Sequence, residues 1–146
     1  MEVLRITFRP DDQWFGQLKV AASAGKFSGV GEAWFSKDHL REFAKAIMAF
    51  PLRDDAPPTI TGGLGGNENS KPRELVSLAF EPYNVRGAIR GTVHLETENW
   101  NPRERSLHSE TTIRFLVSYA DLARFGPEML DVINGNAEDA VLSSNS

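Results

Sequence analysis

The chain contains no cysteine, which excludes disulfides, zinc–thiolate sites, iron–sulfur clusters and thiol catalysis. It has no apolar run approaching the ~18 residues that a membrane-spanning helix requires, so no membrane partner is expected. The opening Met1-Glu2-Val3-Leu4-Arg5 lacks the basic stretch and long apolar core of a secretory signal. A cytoplasmic location is therefore expected. Basic charge is in deficit, with 16 Lys and Arg against 20 Asp and Glu and a net charge of −4. Proteins that coat a duplex carry a basic footprint, so the composition predicts no nucleic-acid partner. What is present is an ordinary globular mixture, 40% hydrophobic and 25% charged over 146 residues. A single domain spanning 1–146 is expected, long enough to bury roughly 70% of its unfolded surface without a covalent staple.

An internal repeat organises the chain. Glu2-Val3-Leu4-Arg5-Ile6-Thr7-Phe8-Arg9-Pro10 reappears as Glu74-Leu75-Val76-Ser77-Leu78-Ala79-Phe80-Glu81-Pro82. Gly16-Gln17-Leu18-Lys19 parallels Gly87-Ala88-Ile89-Arg90, and Phe35-Ser36 with Leu40 and Phe43 parallels Val117-Ser118 with Leu122 and Phe125. The matches keep their order while the offset grows from about 72 to about 82, which one loop insertion (99–108) explains. The copies are read as 1–51 and 73–135, with a linker at 52–72 and a frayed tail at 136–146.

Each copy reads as three strands and a helix. In 3–8, Leu4, Ile6 and Phe8 alternate as in a half-buried strand. Strands at 15–23 and 27–35 flank the turn Ala24-Gly25-Lys26. Ser36 suits a helix N-cap, and Leu40, Phe43, Ala44 and Ile47 form the buried stripe of the helix that Pro51 stops. The second copy predicts strands near 74–80, 85–98 and 110–117. Ser118 with Asp121 resembles a capping box, and Gly126-Pro127 predicts a kink or a break into two pieces. The expected architecture is α+β: a duplicated βββα unit forming one antiparallel sheet of about six strands with both helices on one face.

Candidate chemistry is sparse. The glycine-rich 62–66 lacks the Gly-Lys-Ser/Thr of a phosphate loop and runs into Asn67-Glu68-Asn69, so it reads as a connector. Ser23-Ala24-Gly25-Lys26 fits Ser-x-x-Lys only formally, since it falls in a hairpin turn. Asp11-Asp12 and Asp54-Asp55 are turn residues. No catalytic residue is assigned, and a non-enzymatic role is favoured. His94 and Glu96, with Glu98 beyond, share one strand face, and His108 follows in the adjacent loop. Imidazole beside carboxylate is metal-ligand chemistry, but a solvent-facing strand with Val93 and Leu95 inward looks the same. No metal or cofactor is assigned, and His94 and Glu96 stand as the metal candidates. Parity leaves Lys19, Val30, Glu32, Trp34, Arg90, His94, Glu96, Arg114 and Leu116 on the face away from the helices. Trp and Arg dominate protein-binding hot spots, so Trp34, Glu32, Arg90, Arg114 and Leu116 are the expected docking residues. The competing expectation is that the 53–72 connector covers Trp34.

Trp14-Phe15-Gly16-Gln17-Leu18-Lys19-Val20, the hairpin Gly25-Lys26-Phe27-Ser28-Gly29, and the strand entering Phe35-Ser36 and the Leu40/Phe43 helix carry a resemblance. The chain resembles small bacterial immunity proteins of the wall-associated-toxin type and related bacterial families. The resemblance implies a cytoplasmic binding protein whose protein partner is a toxin that it neutralises, and it transfers no catalytic residue. Two alternatives differ in class: a small-molecule or metal-dependent enzyme using His94 and Glu96, and a structural homo-oligomer burying Trp34 by self-association.

Overall fold

Eight strands and two helices form among the described residues, 1–63, 73–98 and 107–144 of the computed structural model. β1 (Glu2–Pro10), β2 (Phe15–Ala24) and β3 (Phe27–Ser36) lead into α1 (Lys37–Ala46), and β4 (Thr59–Gly62) follows. β5 (Arg73–Pro82), β6 (Ala88–Glu98) and β7 (Ser109–Ser118) lead into α2 (Tyr119–Ile133), and β8 (Ala140–Ser143) follows. The order of elements thus runs twice through three strands, a helix and a short strand. The glycine-rich stretch beyond Gly63 as far as residue 72, and residues 99–106 of the expected insertion at 99–108, lie outside the described residues.

All pairings are antiparallel, in two four-stranded sheets ordered β3-β2-β1-β8 and β4-β5-β6-β7. This corrects the expected single sheet of about six strands. Each three-strand set makes its own sheet, and the fourth strand comes from the other half of the chain. β4 lies within the expected linker, where Ile60 is buried opposite Leu78. β8 lies within the expected frayed tail, where Ala140 and Leu142 are buried in register with Ile6 and Leu4. Four-residue alternations are too short to stand out as a period in the sequence.

The sheets meet through their inner faces. On β3 the inward positions include two glycines, and this lets the second sheet approach. A Cβ on Gly29 would lie 2.8 Å from Thr111 Cγ2, and one on Gly31 would lie 3.2 Å from Leu95 Cδ2. Phe80 bridges the layers, with ring centroids 6.1 Å from Phe43 of α1 and 6.3 Å from Phe115 of β7.

Both helices begin at the expected serines. Ser36 Oγ accepts the His39 N–H at 3.5 Å. Ser118 Oγ accepts the Asp121 N–H at 3.0 Å, while Asp121 Oδ2 accepts the Ser118 N–H at 2.9 Å, closing the capping box. The expected break at Gly126-Pro127 does not occur, since α2 runs unbroken through Pro127. Ala123 and Pro127 are both exposed, so the carbonyl that loses its proline partner lies on the water side. Gly126 has a packing reason instead: a Cβ there would lie 2.4 Å from Met48 Cγ and 3.1 Å from the Ala44 carbonyl. Neither described helix is long and apolar enough to cross a membrane.

Candidate functional site

Alternation along the first sheet puts Leu4, Ile6, Leu18, Val20, Ala33 and Phe35 inward and buried. The opposite parity builds an outer face in three rows. Arg5 stands beside Ala21 and Val30, Thr7 beside Lys19 and Glu32, and Arg9 beside Gln17 and Trp34. Arg5 is tied down by Glu2 at 2.8 Å and by Asp139. Arg9 donates to Gln17 Oε1, and neither Arg9 nor Lys19 makes an ion pair among the described residues. Thr7, Phe8, Arg9, Gln17, Lys19 and Glu32 line a shallow groove of about 260 Å³.

At the end of this face, aromatic rings gather. Trp34, Phe15, Phe35, Ser36, Asp11, Asp12 and Gly63 line a cavity of about 530 Å³. Trp34 is half-buried, Phe15 is 49% exposed and Trp14 59% exposed. The β1–β2 turn that presents them is locked by Asp12, whose Oδ1 accepts the Trp14 N–H at 2.7 Å and the Phe15 N–H at 2.8 Å. Those two backbone bonds, Trp14's first, hold the Asp12 carboxyl below its ordinary value. Gly63 reaches the cavity from the connector, yet Trp34 still faces it.

The second sheet carries the rest. Its outer rows run Leu75–Glu96–Glu110, Ser77–His94–Thr112, Ala79–Thr92–Arg114 and Glu81–Arg90–Leu116. Arg90 is engaged by Glu81 at 2.5 Å, while Arg114 and Leu116 are exposed. The outward parity holds for each expected docking residue, but the five do not share a sheet. Trp34 and Glu32 belong to β3; Arg90, Arg114 and Leu116 belong to β6 and β7. Arg114 stands opposite Thr92. His94 and Glu96 are brought together with Glu110 and His108: His94 Nε2 lies 3.1 Å from Glu96 Oε2, and His108 Nε2 lies 3.2 Å from Glu96 Oε1. Arg9, Gln17, Trp14 and Phe15 are absent from the face read off the sequence. The signal for Arg9 and Gln17 was the polar half of the same alternation that marked Leu4 and Leu18.

The fold therefore defines an α+β protein of two packed antiparallel sheets with cationic, aromatic and histidine–carboxylate clusters on their outer faces. No family model matches the chain, and no curated protein matches it. Two solved structures have a similar layout. The plant transcriptional regulator PBF-2 is 15% identical with a TM-score of 0.48, over 90% of this chain and 76% of that one. WHY3 from Arabidopsis thaliana is 14% identical with a TM-score of 0.42, over 92% and 82%. Neither is described as an immunity protein, and one is a transcriptional regulator. The expected toxin-neutralising binding module and the expected absence of a nucleic-acid partner are corrected accordingly. The physical flaw lay in the charge argument, because a net charge of −4 sums over the whole chain and says nothing of one face. At this identity and TM-score the likeness itself assigns no function.

Proposed function

We propose that the protein binds single-stranded nucleic acid across the outer face of its first sheet. The observation that carries this is the row Arg9–Gln17–Trp34, which runs straight across β1, β2 and β3 into an aromatic cavity. Single strands are held by rings on which unpaired bases stack and by cations that follow the backbone. Trp34 and Phe15 supply the rings, and Arg9 and Lys19 supply the cations. Asp11 and Asp12 sit in the cavity with the rings. A carboxylate there suits a base bearing an exocyclic amino group, which donates to it. A duplex, whose bases are stacked on each other, offers no such ring contact.

Fluorescence anisotropy with labelled oligothymidylate, oligocytidylate and a duplex tests this. Binding of single strands over duplex is expected, with oligocytidylate preferred. Trp34→Ala should weaken binding by about 1–3 kcal/mol, the worth of one base–aromatic stack. Arg9→Gln should lower the salt slope by about one. Equal affinity for duplex, or a folded Trp34→Ala chain that binds unchanged, would refute the reading.

A further inference from the structure

The histidine–carboxylate cluster on the second sheet is independent of the strand-binding face. Glu96 and Glu110 are directly opposed across β6 and β7. Like charges in that relation destabilise a sheet unless a cation intervenes. His94, two residues from Glu96 on the same face, and His108, just ahead of β7, close around them. The four contacts between imidazole and carboxylate measure 3.1 and 4.0 Å from His94 Nε2, and 3.2 and 3.6 Å from His108 Nε2. Ligands of a tetrahedral Zn²⁺, each ~2.0–2.1 Å from the ion, lie roughly 3.3 Å from one another. His94, Glu96 and Glu110 each offer one ligand atom, and these three atoms all lie within 4.8 Å of one another.

Two further observations concern the imidazoles. His94 Nδ1 lies 2.7 Å from Thr112 Oγ1, its cross-strand neighbour. With Nδ1–H donating to that hydroxyl, Nε2 turns its lone pair toward the carboxylates, as metal-bound histidines are held by their outer partners. His108 Nδ1 is buried and has no hydrogen-bond partner among the described residues, while its Nε2 lies toward Glu96 and Glu110. Beside them, Glu96 and Glu110 line a small cavity of about 140 Å³.

We infer that His94, Glu96 and Glu110 form the core of a binding site for a divalent transition metal, Zn²⁺ by donor set, with His108, whose Nε2 lies 3.2 Å from Glu96 Oε1, swinging in as the fourth ligand. Two neutral imidazoles and two carboxylates give an N₂O₂ sphere whose two negative charges balance a dication. The donors are borderline and hard, with no thiolate, which suits Zn²⁺ over Cu⁺ and over the all-oxygen sites of Mg²⁺ or Ca²⁺.

The test uses the full chain, dialysed against chelator and titrated with Zn²⁺ alone by calorimetry, with Co²⁺ absorption as a probe of tetrahedral geometry. One equivalent is expected to bind. His94→Ala and His108→Ala should each weaken it by more than the ~10–100-fold that loss of an outer partner costs, and Thr112→Val by about tenfold. Should an alanine variant misfold, Glu96→Gln retains the shape and should still weaken binding at least tenfold. Absence of saturable binding would overturn the assignment, as would affinity unchanged in folded His94→Ala or Glu96→Gln chains. The oligonucleotide assay is not involved, so this site and the strand-binding face fail or stand separately.

Discussion

Single residues set the precision of both helices and of the β1–β2 turn. Ser36 and Ser118 occupy the same place before their helices but make different bonds. Ser118 exchanges two hydrogen bonds with Asp121, at 2.9 and 3.0 Å, and Asp121 is buried. Ser36 makes one, exposed, at 3.5 Å. Ser118→Ala should therefore cost about 1–2 kcal/mol and Ser36→Ala about 0.5 kcal/mol, read by chemical denaturation. Equal losses would mean the reciprocal bond is worth nothing. Asp12 gives a pH-dependent counterpart. Its carboxyl titrates below its ordinary 3.8 because the Trp14 and Phe15 amides donate to it. The carboxylate's hold on the turn is complete above that ordinary value and is lost as pH falls through the lower, folded-state value. The Trp14 and Phe15 amide resonances should shift on acidification with a midpoint below 3.8. Asp12→Ala should abolish that step, and a midpoint above 3.8 would reverse the assignment.

At the scale of elements, β8 separates what the sequence reveals from what it conceals. Helix starts were legible at Ser36 and Ser118 because a cap is a local bond among neighbours. The outward parity of Trp34, Glu32, Arg90 and Arg114 was legible because side chains alternate along any strand. Which sheet each strand joined was not, since pairing is decided by partners far along the chain. Arg114 was thus grouped with Trp34 and Glu32 as one docking face, whereas it lies on the other sheet opposite Thr92. The histidine–carboxylate cluster was half legible: His94, Glu96 and His108 stood out by type and spacing, but Glu110 required the β6–β7 register. β8 was concealed by its brevity, with only Ala140 and Leu142 facing inward. Leu142 is 1% exposed and pairs with Leu4. Leu142→Ala should cost about 2–5 kcal/mol, the range for a buried leucine, where a frayed tail would lose nothing. Thermal melting of that variant measures the difference directly.

At the scale of the molecule, the exchange of fourth strands makes the two halves interdependent. β4 leaves the first half to pair with β5, and β8 leaves the second to pair with β1. Each half alone would keep a three-stranded sheet and one helix but would expose an inner face. Leu4, Ile6, Leu18 and Phe35 would meet water in one half, and Val76, Leu78, Ile89 and Ile113 in the other. Each would also have an open strand edge, β1 in one and β5 in the other, and unpaired edges invite association. A chain of roughly 60–75 residues buries only about 60% of its unfolded surface even when its core is intact. Fragments 1–63 and 73–146 made separately should therefore show no cooperative melting. Mixed, they should form a one-to-one complex that melts cooperatively, with a midpoint that rises with concentration as for any two-chain fold. The two outer faces provide the control. Trp34 and Arg9 belong to the first fragment, and His94, Glu96, His108 and Glu110 to the second, so oligonucleotide and Zn²⁺ binding should each return only with the complex. A fragment that melts cooperatively alone would show that its sheet needs neither the exchanged strand nor the opposing face, and the two halves would then be separate domains in contact.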